Sequence, residues 1–218
     1  GLSVVGQDEA WANLEAERPA DLPIESTVAE TRAAWAARFE GWAVEGADAD
    51  EAVVFWQDIV GPPQTASGSP NVLFDLALAF ARMGDYATAE VVYRRLIEQH
   101  PSHSLADQAS FKLGYMAWDE GDCARARELF TDHLGQFTSS NHTESARWFR
   151  ARCAWSAGDV QAAVDDWLAV EGDGGSLASG ARYWRARAAG KQGDAEAMAQ
   201  GLRDVLRRWP TSGYAWFS

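Results

Sequence analysis

Residues 70–101 read PNVLFDLALAFARMGDYATAEVVYRRLIEQHP, two apolar-patterned stretches joined by Gly84-Asp85. From Asn71 to Met83, Val72, Leu73, Leu76, Ala77 and Phe80 fall at helical spacing. Gly84 ends that helix, because glycine tolerates the positive φ of a C-terminal cap. Asp85 is placed to cap the next helix. There Ala89, Tyr93, Leu96 and Ile97 share one face, and Pro101 stops it.

The Gly-Asp pair returns at Gly121-Asp122, Gly158-Asp159 and Gly193-Asp194, at intervals of 37, 37 and 35 residues. One period held over most of a chain means one supersecondary unit copied several times. The third unit has helices from Leu105 to Asp119 and from Ala124 to Gln136. The fourth has helices from Asn141 to Ala157 and from Val160 to Val170. The fifth has helices from Leu177 to Gln192 and from Ala195 to Trp209, closed by Pro210. A weaker first unit lies upstream. Thr27 and Glu30 form a capping box, and Trp35, Phe39 and Trp42 lie on the helix that follows. Gly46 takes its turn, and Ala52 to Ile59 supplies its second helix.

The organisation expected is a lead-in segment, 1–25, and an all-α solenoid over 26–218. Its units span about 27–60, 70–101, 104–137, 141–171 and 176–210, and 211–218 is the start of a further helix. Gly61 to Pro70 is the longest loop, and Gly172 to Gly175 the most flexible connector. No run reads as a strand. The chain begins with Gly1 and ends on what looks like an unfinished helix, so a trimmed fragment of a longer protein is expected.

The chain has 218 residues and a net charge of −13. That balance disfavours nucleic acid, whose phosphates require clustered cations. The charge is uneven, with 17 acids and 6 bases in residues 1–100 against 15 and 13 in the rest. No apolar run approaches the roughly 20 residues that span a bilayer. Cys123 and Cys153 lack metal-ligand spacing. They read first as small buried hydrophobes, with an inter-repeat disulfide open if the protein is exported. His100, His103, His133 and His142 form no metal motif, and no nucleophile–base pair or phosphate loop is present. No catalytic residue, metal or cofactor is expected.

Two residue sets carry the candidate surface. Counting back ten from each turn glycine gives Phe74, Phe111, Trp148 and Tyr183. Counting back six gives Tyr115, Arg152 and Arg187 in the last three units, and counting back three gives Trp118 and Trp155. These positions either form an aromatic and arginine platform on a concave face or fill the seams between helices, and core packing is preferred for most. The second set is Arg147 and Arg150 with Arg182 and Arg185, which share helix faces in consecutive units. They either pair across repeats with Asp165, Asp166 or Glu171 or dock an acidic partner, and pairing is preferred.

The turn Gly84-Asp85-Tyr86, small Ala77 and Ala89, aromatic Tyr93 and terminal Pro101 fall where the tetratricopeptide repeat (TPR) has them. Gly114, Ala126 and Phe130, then Ala151, Ala163 and Trp167, then Ala186 and Pro210, continue the pattern, with Met198 in place of one small residue. The chain resembles TPR proteins over 70–210, and more loosely over 27–60. The resemblance implies about five repeats wound into a right-handed superhelix, and a protein or peptide partner.

A narrower resemblance rests on a duplicated string. Ala146-Arg147-Trp148-Phe149-Arg150-Ala151-Arg152 returns as Ala181-Arg182-Tyr183-Trp184-Arg185-Ala186-Arg187. Trp209-Pro210 and Ser212-Gly213-Tyr214-Ala215 follow. This is similar to the helical superhelix that precedes the catalytic domain of bacterial soluble lytic transglycosylases, with Gly213 where that family has a tyrosine. The Glu25-Ser26 and Glu144-Ser145 pairs lack the Gly-Leu-Met segment that accompanies that family's catalytic glutamate. The resemblance implies a noncatalytic scaffold of the periplasm or cell envelope, peptidoglycan glycan as a further partner, and a catalytic domain beyond Ser218. The alternative is an envelope protein–protein adaptor, of the kind that serves outer-membrane assembly or coordination.

Overall fold

A computed structural model of the chain describes Pro63 and residues 66–218. The expected lead-in, 1–25, and first unit, 27–60, lie outside the described residues, as does the Thr27/Glu30 capping box. All regular structure among the described residues is helical. The chain divides into two compact units, Gly1–Pro101 and Ser102–Ser218.

In the first unit, α1 (Pro70–Arg82) and α2 (Tyr86–Gln99) form one antiparallel hairpin. Ser69 caps α1, and Pro70 occupies the first turn, where its missing N–H costs nothing. Leu73, Leu76 and Ala77 of α1 are buried with Ala89, Val92, Tyr93 and Leu96 of α2. The incoming chain is tied to the end of this hairpin. Gln99 Nε2 donates to the Ala66 carbonyl at 3.1 Å, and His100 Nε2 lies 2.9 Å from the Gly68 carbonyl.

The second unit holds three hairpins. They are α3 (Ser104–Asp119) with α4 (Cys123–Gln136), α5 (Thr143–Ser156) with α6 (Val160–Asp173), and α7 (Ala178–Lys191) with α8 (Ala195–Arg208). Each hairpin packs on the next, α4 against α5 and α6 against α7. This is the expected all-α solenoid of helix pairs, in which stability is built from nearest-neighbour contacts.

The Gly-Asp pair explains itself in the turns. Gly84, Gly121, Gly158 and Gly193 have φ between 80° and 88°, the left-handed region where a Cβ is strained. Each following aspartate donates its backbone N–H to the last turn of the first helix. Asp122 N to Ala117 O is 2.9 Å, and Asp159 N to Ala154 O is also 2.9 Å. Its side chain then caps the second helix. Asp85 accepts from Thr88 N at 3.0 Å, Asp122 from Arg125 N at 3.0 Å, Asp159 from Ala162 N at 3.2 Å and Asp194 from Ala197 N at 2.8 Å.

In the first three hairpins a small residue on one helix is matched by a large one on the other, and in the last Ala186 meets Gly201. Ala77, Gly114, Ala151 and Ala186 occupy the small position of the first helix, and Tyr93, Phe130 and Trp167 are fully buried on the second. A Cβ on Gly114 would lie 2.6 Å from Phe130 Cε1, so this crossing requires glycine. In the last hairpin Met198 stands where the others have alanine. Its thioether fills the space above Gly190, the position that Trp118 and Trp155 hold in earlier hairpins.

Two segments differ from the sequence expectation. Helix α6 runs through Gly172 and stops only at Gly174, with φ 69°, so the expected flexible connector is partly helix. The tail is a short 3-10 helix, Gly213–Phe217, where a new α-helix was expected. Its Tyr214 lies over Gly180, where a Cβ would sit 2.7 Å from the ring. No described helix is long and apolar enough to cross a membrane.

Candidate interaction surface

The arginines of the duplicated string are turned toward carboxylates of their own chain. Arg150 makes a two-pronged pair with Asp166, at 2.8 Å from Nε and 2.6 Å from Nη2, and reaches Thr131 of the preceding hairpin at 3.0 Å. The bonds to Asp166 hold its guanidinium above the usual arginine range. Arg147 pairs with Asp173 at 3.0 Å. Arg182 bonds Asp204, whose carboxyl it holds below the usual range. Arg185 bonds Glu171 of the preceding hairpin, with Arg182 3.9 Å and Arg208 3.8 Å from the same carboxylate. These four arginines therefore stitch helices together.

A different set of cations carries no ion pair among the described residues. Arg152 lies 4.8 Å from the centroid of Trp184, and Lys191 lies 4.6 Å from that of Trp155. Lys112 is 5.8 Å from the Tyr115 ring. Arg187 is exposed, 5.8 Å from the Tyr183 ring, and donates to the Tyr183 hydroxyl at 2.9 Å. A cation over a ring is attracted by its quadrupole and keeps its charge available to an anion.

The rings under these cations form two clusters. Phe149 joins Trp118 at 4.6 Å and Tyr115 at 5.4 Å, bridging α3 and α5. Trp155, Trp167 and Trp184 lie at mutual distances of 5.7 to 5.8 Å, bridging α5, α6 and α7. Tyr115, Trp118, Trp155 and Trp184 are half-buried, with one side packed and one side reachable. Phe149 and Trp184 were not singled out by counting back from the turn glycines. They are one residue past the Trp148 and Tyr183 column, and the duplicated string was the signal that could have found them.

The remaining candidates are packing residues in this structure. Trp148 and Tyr183 are buried, and both rings meet Tyr214 of the tail, at 6.3 and 5.4 Å. Phe74 packs on Tyr93 at 5.5 Å within the first unit. Phe111 stacks on His142 at 4.7 Å and touches Phe130 and Phe149. The structure thus brings Tyr115, Trp118, Arg152 and Trp155 to one series of first helices, and sends Trp148, Tyr183 and the four seam arginines into the framework.

His133 is a buried polar residue of the α3–α4 hairpin. It occupies the core position that Leu96 and Val170 hold in neighbouring repeats, and its side chain is fully buried. Asp107 lies 3.8 Å from its Nε2, while burial pushes its pKa below the ordinary histidine value. Asp107 itself accepts the Ser140 hydroxyl at 2.6 Å. Among the described residues, no cluster of three or more His, Cys, Asp or Glu is placed to hold a metal ion.

Comparison with known proteins agrees with this geometry. Tetratricopeptide-repeat family profiles match residues 74–141 and 181–212. No curated protein sequence matches the chain. Among solved structures, the chain is similar to MamA residues 41-end from Desulfovibrio magneticus RS-1, with a TM-score of 0.62 at 14% identity. That match covers 83% of this chain and 98% of the other. A second MamA structure gives a TM-score of 0.64 at 12% identity, over 82% and 92% of the two chains. YrrB, a TPR protein with an unusual peptide-binding site, gives 0.60 at 12% identity, over 95% of each chain. At such identities the likeness concerns the fold. The matched profiles place tetratricopeptide repeats at residues 74–141 and 181–212, and the capped Gly-Asp turns and the architecture shared with these structures continue the same helix-pair fold through the hairpin between them.

Proposed function

We propose that the chain is a noncatalytic protein–protein interaction scaffold, and that Tyr115, Trp118, Arg152, Trp155, Trp184 and Lys191 receive an extended, carboxylate-bearing segment of a partner protein. The observation that carries this reading is the division among the cations. Arg147, Arg150, Arg182 and Arg185 are paired with carboxylates, whereas Arg152 and Lys191 lie on tryptophan rings with no anionic partner among the described residues. An incoming carboxylate completes the charge balance, and the rings supply apolar contact beside it. The test is selection of peptides from a displayed random library on the folded protein. Enrichment of Asp- and Glu-containing peptides whose affinity falls at least ~10-fold with Arg152→Glu/Lys191→Glu supports the reading. Peptides that bind both forms equally contradict it.

A second reading rests on the duplicated Ala-Arg-aromatic-aromatic-Arg-Ala-Arg string and its packed tail. Tyr214 follows Trp209-Pro210 and rests on Tyr183 of the second copy and Trp148 of the first. This supports the helical superhelix of a peptidoglycan-acting, lytic transglycosylase-like protein of the cell envelope, with the aromatic strip facing glycan. Co-sedimentation with purified peptidoglycan sacculi tests it. Binding lost on Trp184→Ala with the fold retained supports this reading, and a chain left in the supernatant opposes it. The envelope adaptor reading shares the first proposal's surface and differs only in its partner.

A further inference from the structure

The two cysteines face each other across a repeat seam. Cys123 begins α4 and Cys153 lies in the last turns of α5, so they belong to consecutive hairpins. Cys123 packs against the core cluster that contains Cys153. Ser156 brackets the pair, donating to the Cys153 carbonyl at 2.9 Å and lying 3.5 Å from Cys123 Sγ. The next repeat holds Val160 and Ala188 at these register positions, so apolar residues suffice for packing there. The accessibility of the two thiols differs. Cys153 is fully buried, whereas Cys123 is half-buried.

We propose that Cys123 and Cys153 form a reversible disulfide that cross-links the α3–α4 hairpin to the α5–α6 hairpin, made by exchange with a small-molecule disulfide of the oxidised-glutathione class. The proposal is independent of what the aromatic strip binds. Cys123 is the entry point, because burial and the neighbouring Cys123 thiol push Cys153 up to about 12. The Cys123 thiolate attacks one sulfur of the small disulfide. A Cys123–small-molecule mixed disulfide forms, and one small thiolate leaves. Cys153 Sγ then attacks Cys123 Sγ, a protein disulfide forms, and the second small thiolate leaves. The two cysteine protons end on the two departing thiols, so the small disulfide is reduced as the cysteine pair is oxidised.

The bond closes the chain between Cys123 and Cys153 into a loop and fixes the seam on which Trp118 and Phe149 meet. A reducing medium leaves that seam held by noncovalent contacts such as Arg127–Asp159 and Arg150–Thr131, and an oxidising one locks it. Redox state is therefore a means of setting the rigidity of this part of the array.

The experiment is oxidation of the folded chain with oxidised glutathione, followed by peptide mapping without reductant and by thermal unfolding. The expected result is a linked Cys123–Cys153 peptide pair, loss of both free thiols, and a Tm higher by roughly 5–10 °C that reverts on reduction. Cys123→Val and Cys153→Ala, which borrow the residues of the next repeat, keep the fold and abolish the shift. Two titratable thiols after oxidation of folded protein overturn the proposal. So does a glutathione adduct that stays on Cys123, or a linkage that forms only between molecules or only in denaturant.

Discussion

The Glu144 carboxylate accepts the backbone N–H of Leu177 at 2.8 Å, as the counterpart, 37 residues on, of the bond that Asp107 makes to Ser140. In both cases a carboxylate in the first turn of one hairpin ties down the approach to the next. Helix α7 has no capping side chain of its own, so Glu144 supplies the cap from a neighbouring repeat. Glu144→Ala is expected to cost about 1 kcal/mol, read from chemical denaturation. Gly175→Ala should reduce that cost when combined with it, because a Cβ at 175 collides with the same carboxylate.

Gly114 and Phe130 meet at a tight hairpin crossing, where an added Cβ would lie 2.6 Å from the ring. Gly114→Ala is expected to destabilise by about 1–3 kcal/mol, because the aromatic ring cannot yield without disturbing Phe111 and Phe149. The midpoint of urea unfolding measures it. An unchanged midpoint would show that the seam is loosely packed.

The Arg150–Asp166 pair occupies positions that the preceding repeat fills with Leu113 and Leu129. Arg150→Leu alone leaves the Asp166 carboxylate buried without its partner and is expected to cost about 1–3 kcal/mol. Arg150→Leu/Asp166→Leu should recover most of that loss, since the fold already accommodates two leucines there. A double-mutant cycle in denaturant gives the coupling directly.

His133 makes the second unit sensitive to acid. Its folded pKa lies below the ordinary value of 6.5 because the ring is desolvated, despite the opposing pull of Asp107 and with a smaller contribution from His142. Between the two values the unfolded chain binds more protons than the folded one, so stability falls as pH drops below about 6.5. Asp159 and Asp204, held below 3.8 by Arg127 and Arg182, lose their contribution only at lower pH. Thermal unfolding from pH 8 to 5 should show a decline that His133→Leu removes. A decline of equal size in the variant would assign it elsewhere.

The fold was legible because the repeat signature is local chemistry. A positive-φ glycine followed by a capping aspartate specifies a helix–helix turn whatever surrounds it, and four copies at near-constant spacing specify the stack. The small-to-large pairing was equally readable at Ala77 and Tyr93. The division of labour among the arginines was not, because Arg150 and Arg152 differ by two positions and only helix phase decides which meets a carboxylate and which meets a ring. The exchange of Met198 for Ala against Gly190 for Trp was also hidden, since each half looks like a defect until the two helices are brought together. The tail became a 3-10 turn because Tyr214 finds its place on Gly180 and Tyr183, a contact set by the third dimension.

The central claim is that cations resting on rings, rather than those in ion pairs, receive the partner. The direct measurement is the affinity, by tryptophan fluorescence titration, of a library-selected acidic peptide for the wild-type chain, for Arg152→Glu/Lys191→Glu and for Arg147→Gln. The account predicts a loss of at least ~10-fold for the first variant and a change under about 2-fold for the second, with helical circular dichroism unchanged in both. Equal affinity for wild type and Arg152→Glu/Lys191→Glu would contradict it.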